Sequence, residues 1–216
     1  MTAEQSRELD AQIIPTGRAL TRLDVEAPRA VALVLHGGKQ SSRQPVDGRS
    51  ASWKRMAAMQ RSITPDLHAA DVSTWLLRYS VRGWNNGSPI ADARWALEQV
   101  RREVGDVPVV LLGHSMGGRT AAYVADDPNV VGVVAVAPWW QADDPVSALR
   151  GRRVAAAHGR TDKITSARMT RAFLDRAAGV AATTEFHDMG RVGHYMFRKV
   201  PTWNDFATTR CLALLA

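Results

Sequence analysis

The segment GHSMGG, Gly113 to Gly118, directly follows the apolar run VPVVLL. Residues without a Cβ let a chain turn at once from strand to helix, and a serine framed by them at such a turn has its hydroxyl lifted above the sheet. Ser115 is therefore a candidate nucleophile. A serine hydroxyl attacks poorly at neutral pH, so it needs a base within hydrogen-bond reach and an acid to orient that base. Asp162, in AAAHGRTDKIT, stands a few residues past an apolar strand core, and His194, in HDMGRVGHYMF, stands in a glycine-flanked loop after the last strand-like run. Ser115, Asp162 and His194 follow one another in the order expected when successive strand ends fill these roles.

Each residue has a competitor. Asp143 and Asp144 follow the preceding strand and could also supply an acid, while Asp162 could instead cap the helix that begins near Ser166. His187 lies inside the strand-like TEFHDM. His36, His114 and His158 belong to glycine-containing turns and read as hydrogen-bonded turn residues. No two histidines show helical ligand spacing beside a carboxylate, so no metal is expected.

The elements that must position these residues alternate between short apolar runs and helical patterns, which predicts a mostly parallel sheet covered by helices on both faces. Strands are expected at Thr21 to Glu26, where polar and apolar residues alternate, and at Ala30 to Gly38, Val72 to Ser80 and Val107 to Leu112. Three more are expected in VVGVVAVAPWW, RRVAAAHG and AATTEFHDM. VPVVLL has no polar alternation and reads as a central strand buried on both faces. Helices are expected near Trp53 to Arg61, after Ser88 as N-cap with Pro89 in the first helical position, in GRTAAYVA, in ARMTRAFLDRAAG and around Trp203 to Leu215. The loop KQSSRQPVDGRSAS is long, and residues 1–15 read as a loose arm preceding a single domain that fills the rest of the 216 residues.

Taken together, HGG at His36 to Gly38, GHSMGG, HGRTD at His158 to Asp162, and Gly193 with His194 resemble the α/β-hydrolases of the carboxylesterase and lipase superfamily, from about Thr21 to the C-terminus. The resemblance implies an α/β-hydrolase fold and a serine hydrolase that cleaves carboxylic esters through an acyl-enzyme. Thioesterase or acyltransferase chemistry by the same triad is the alternative, as is a non-catalytic ligand-binding protein on this fold. It also implies an oxyanion hole formed by the backbone N–H of Met116 and that of Gly38, or of its neighbour Lys39. Only QADDPVSALRG separates Trp140 from the next strand, which leaves no room for a lid domain. The rim of the resulting open cleft is expected from Trp84, Trp139, Trp140, Tyr195 and Met196, although Trp139 and Trp140 could equally be core residues. Arg78 and Arg82 fall near the same edge, either to attract an anionic substrate or to hold loops together.

Composition narrows the classes. A net charge of +7 invites a nucleic-acid reading, but the arginines are scattered singly or in pairs without a recognisable module, so no nucleic-acid partner is expected. The longest apolar run falls well short of the about 20 residues that cross a bilayer, so no membrane partner is expected. Cys211, the one cysteine, allows no intrachain disulfide. With no secretory pattern in MTAEQSRELD, a cytoplasmic protein is expected. No cofactor is implied, the partner is a small-molecule ester, and the oligomeric state stays open.

Overall fold

The computed structural model describes residues 17–216, and the expected N-terminal arm lies outside them. Seven strands form one sheet in the order β1-β3-β2-β4-β5-β6-β7. β1 (Ala19–Leu23) runs antiparallel to β3 (Val72–Arg78) at one edge. The pairings among β3, β2 (Ala30–Leu35), β4 (Val109–His114), β5 (Val130–Val136), β6 (Arg153–His158) and β7 (Thr183–Asp188) are all parallel.

Alternation along the central strands divides the core in two. In β2, Val31, Leu33 and Leu35 face α2 (Ser88–Glu103) and α3 (Met116–Val124), while Ala30, Ala32 and Val34 face α1 (Ala51–His68) and α5 (Val200–Leu215). α4 (Ala167–Ala177) joins the first face through Phe173, Leu174 and Ala177. Both faces are apolar because helices cover both, and each fully buried Leu or Val side chain contributes roughly 1.5–3 kcal/mol. Between β5 and β6 the chain forms only a short 3-10 turn, Ser147–Leu149, so among the described residues no lid domain is inserted there.

Several boundaries differ from the sequence expectation, three of them for a reason visible in the structure. β1 begins at Ala19 rather than Thr21 and stops before Asp24, whose carboxylate accepts a hydrogen bond from the Trp75 indole at 2.6 Å. α1 runs on to His68 through Pro65, because Met56, Met59, Ile63 and Leu67 keep one face buried past the point where proline suggests a stop. The N-cap of α2 is Gly87 rather than Ser88. Asn85, Asn86 and Gly87 all have left-handed φ values, 45°, 61° and 110°, so the turn finishes one residue later and Ser88 is already helical.

Candidate active site

β4 delivers Ser115 to the carboxyl edge of the sheet and α3 begins at the next residue. Ser115 has φ 54° and ψ −116°, a conformation that side-chain-bearing residues rarely adopt and that costs of order 1–3 kcal/mol. Surrounding bonds hold it there. Its carbonyl accepts from the Trp139 amide at 3.1 Å and the Arg119 amide at 3.2 Å. The flanking glycines are required by proximity. A Cβ on Gly117 would fall 2.1 Å from the Leu35 carbonyl oxygen, and one on Gly113 2.5 Å from the Gly117 carbonyl.

The structure brings Ser115, His194 and Asp162 together. Ser115 Oγ lies 3.0 Å from His194 Nε2, and His194 Nδ1 lies 2.8 Å from Asp162 Oδ2. The Asp162 side chain takes its place in the loop after β6 by accepting the amides of Ile164 and Thr165 on Oδ1, at 2.7 and 2.9 Å. Burial pushes the Asp162 carboxyl up, but donors from His158, His194 and the Thr165 amide outweigh it, and its pKa lies well below the usual carboxylate range. Asp162 does not cap α4; Ser166 does, accepting from the Met169 amide at 3.3 Å.

The loop carrying His194 is secured from two sides. His114 Nε2 donates to the His194 carbonyl at 3.1 Å, and the Arg55 guanidinium donates to the carbonyls of Tyr195 and Met196. Burial first, then the neighbouring His194, lower the His114 pKa to about 3, so its imidazole is neutral at ordinary pH. His36 is likewise buried and lowered to about 4. Its Nε2 accepts the Tyr79 amide at 3.3 Å, which leaves Nδ1 to donate to the Gly37 carbonyl at 2.6 Å and shape the HGG turn.

That turn runs beside the serine, where a Cβ on Gly37 would fall 3.3 Å from Ser115 Cβ. The Lys39 amide is taken by the Arg82 carbonyl at 2.8 Å, whereas the Gly38 amide has no hydrogen-bond partner among the described residues. A Cβ on Gly38 would lie 2.4 Å from Met116 Cε. The Met116 amide opens α3 with no side-chain cap and, like every first-turn N–H, has no intrahelical acceptor. The loop after β2 is strapped down by isolated bridges, Lys39 to Gly83 and Pro45 to Val81, and by Arg82, which donates to the Pro45 carbonyl and to Asp47. Arg82 is thus a loop-holding residue; Arg78 lies half-buried at the end of β3.

The competing acids and base are placed elsewhere. Asp144 is buried and accepts from Arg119, at 2.9 and 2.6 Å, from the Tyr123 hydroxyl at 2.8 Å and from the Gln141 amide at 2.8 Å; Asp143 is exposed. His187 sits on the exposed face of β7 with its ring 5.4 Å from that of Phe206.

The expected aromatic rim needs correction. Trp140 is buried, stacked on Phe173 at 4.2 Å with its indole N–H donated to the Gly118 carbonyl at 3.0 Å. Trp84 is buried as well: its ring stands nearly perpendicular to that of Trp139, at 84°, and the two form a corner that holds the Arg119 guanidinium at 4.4 and 4.6 Å from their centroids, where the cation gains from both rings. Met196 is buried too. Tyr195 is 52% exposed and stacks on Phe197, itself 75% exposed, and Ile164 beside Asp162 is 61% exposed. Phe197 and Ile164 were not among the expected rim residues. Period-two alternation in HYMF, with His194 and Met196 inward and Tyr195 and Phe197 outward, is the signal that could have found Phe197. A depression of about 500 Å³ lined by Trp139, Gln141, Arg160, Lys163 and Ile164, among others, adjoins the triad-like cluster at Asp162.

Among the described residues no helix is long and apolar enough to cross a membrane. No curated protein sequence matches this chain. Solved structures do share its fold. A lidless α/β serine hydrolase from Xanthomonas campestris superposes with a TM-score of 0.67 at 17% identity, covering 91% of this chain and 88% of the other. An α/β serine hydrolase homologue from Coxiella burnetii gives 0.69 at 15% identity, covering 89% and 91%. Est1E from Butyrivibrio proteoclasticus gives 0.66 at 11% identity, covering 92% and 93%. A model of the alpha/beta hydrolase family matches residues 32–216, from within β2 through the whole site, and the chain belongs to that family.

Proposed function

We propose that this chain is a serine hydrolase that cleaves carboxylic esters through an acyl-enzyme. The observation that carries the proposal is the unbroken run of hydrogen bonds from Asp162 through His194 to Ser115, ending on a hydroxyl held at a strained strand-to-helix turn. In the reaction, His194 Nε2 takes the Ser115 proton as Oγ attacks the ester carbonyl, and Asp162 accepts the Nδ1–H and stabilises the imidazolium. The developing oxyanion is received by the amides of Met116 and Gly38, fixed donors that matter most when charge appears in the transition state. His194 then gives its proton to the departing alkoxide, and a water activated by the same imidazole releases the acid.

Tyr195, Phe197 and Ile164 offer apolar contact around the entrance and favour an apolar or aryl group on the ester. Est1E has been solved with ferulic acid bound, a flat aryl acid of the kind such a surface would accept.

Steady-state turnover of p-nitrophenyl esters, with an alkyl thioester run alongside, tests the proposal. Ser115→Ala is expected to lower kcat by at least about 10³-fold while circular dichroism stays unchanged. Unchanged turnover in that variant overturns the role given to Ser115, and a thioester preferred over the matched ester redirects the reading to thioesterase chemistry.

A further inference from the structure

We propose that His158 is a positioning residue for this site, holding the Asp162 carboxylate through a hydrogen bond from Nε2 so that the acid presents one fixed oxygen to His194. The inference rests on the ester-hydrolase reading for its catalytic consequence, and on geometry alone for the contact.

Asp162 Oδ2 is shared. It lies 2.8 Å from His194 Nδ1, 3.2 Å from His158 Nε2 and 3.0 Å from Thr165 Oγ1, while Oδ1 takes two amides. His158 closes β6 and is fully buried, so its two ring nitrogens have no water to turn to. An ionised carboxylate only accepts hydrogen bonds, so a ring nitrogen 3.2 Å from it must carry the proton. Nε2 of His158 is then the donor, and Nδ1 presents a lone pair to Thr170 Oγ1, 2.8 Å away on α4. The hydrogen bonds form one chain in which Thr170 donates to His158, His158 to Asp162, His194 to Asp162 and Ser115 to His194.

Two consequences follow for the chemistry. The carboxylate is held against rotation, because both its oxygens are occupied by groups anchored on β6, on the loop between β6 and α4, and on the loop after β7. The negative charge that Asp162 directs at His194 is also partly spent on His158. Without the His158 donor, Asp162 holds the imidazolium more tightly and the base loses its proton at higher pH. Other charged or titratable groups facing this cluster stay in place when His158 alone is changed. They are His114, with its ring 4.9 Å from that of His194; Tyr195, at 5.5 Å; Arg55 on the Tyr195 and Met196 carbonyls; Lys163 beside Asp162; and the Arg160 and Asp188 pair where β7 meets β6.

The test compares His158→Gln, whose amide nitrogen reaches the Nε2 position, with His158→Phe, which fills the space without a donor. In profiles of kcat/KM against pH on a p-nitrophenyl ester, His158→Phe is expected to lower kcat by roughly tenfold. It should also move the acid limb upward by about half a pH unit. His158→Gln is expected to keep the parent limb and most of kcat. If His158→Phe keeps the parent kcat and limb, or if both variants fall alike with the limb unmoved, the Nε2 donor does not position Asp162 and the proposal fails. Nitrogen-15 spectra of imidazole-labelled Ser115→Ala protein give a second readout that needs neither turnover nor a His158 variant. The Hε2 tautomer at His158 is expected, and the Hδ1 tautomer overturns the proposal. Should the parent protein turn over no ester at all, the ester-hydrolase reading fails separately, and the tautomer still decides the contact.

Discussion

The Lys39 amide donates to the Arg82 carbonyl at 2.8 Å, whereas the Gly38 amide has no hydrogen-bond partner among the described residues. The oxyanion role proposed for Gly38 rests on that difference. In Gly38→Ala the new methyl would meet Met116 Cε at 2.4 Å and the Arg82 carbonyl at 2.5 Å, so the turn must shift against Met116 and Arg82. Steady-state kinetics should show kcat reduced by about 10²-fold or more, whereas Lys39→Ala, which keeps its amide and the Arg82 bond, leaves kcat near that of the parent.

Asp144 and Asp162 are both well supplied with donors, but their partners differ in kind. Asp144→Ala leaves Arg119 buried between two indoles with no counter-charge and should destabilise the protein by about 3 kcal/mol or more, read from urea unfolding. Asp162→Asn should lower kcat by about 10³-fold or more and leave the protein folded. The opposite pattern would move the acid's role to Asp144.

The strain at Ser115 separates function from stability. Both Ser115→Ala and Ser115→Gly remove the hydroxyl, but only glycine adopts φ 54° freely. Thermal or urea unfolding is expected to find the glycine variant more stable than the alanine variant by about 1 kcal/mol. Equal stabilities would mean that the turn is unstrained.

Burial lowers His36 to about 4 and His114 to about 3, from 6.5. Between those folded values and 6.5 the unfolded chain binds more protons than the folded one, so stability rises with pH. The contribution is complete above pH 6.5 and is lost as pH falls toward the folded values. Urea midpoints measured from pH 7.5 down to 5 should therefore fall, with roughly 1 kcal/mol per pH unit from each histidine. His114→Gln, whose amide nitrogen reaches the Nε2 position and retains a donor for the His194 carbonyl, should flatten the slope. A midpoint constant across this range contradicts the burial argument.

What was legible in the sequence was local. Gly113 is demanded by contact with Gly117 and Gly118 within the same strand, turn and helix, so that part of GHSMGG announces its geometry, while Gly117 is demanded by Leu35 of the neighbouring β2. Asp162 could be located because a continuous apolar run marks where the buried strand β6 ends, and His194 because a glycine-flanked loop follows the strand-like run of β7. Decisions made at a distance were not legible. Which of the Gly38 and Lys39 amides is already occupied depends on the Arg82 carbonyl, and the burial of Trp84 and Trp140 depends on Arg119 and Phe173 from other elements. His158 reads in sequence as one more turn histidine, because its partner Thr170 comes from the following helix.

The most direct measurement is reaction of the purified protein with a fluorophosphonate probe, followed by peptide mass spectrometry to locate the adduct. One adduct per chain on Ser115, absent from Ser115→Ala and strongly slowed in His194→Ala, is the predicted result. A folded protein that takes no adduct, or takes it on another residue, contradicts an activated Ser115 and with it the ester-hydrolase account.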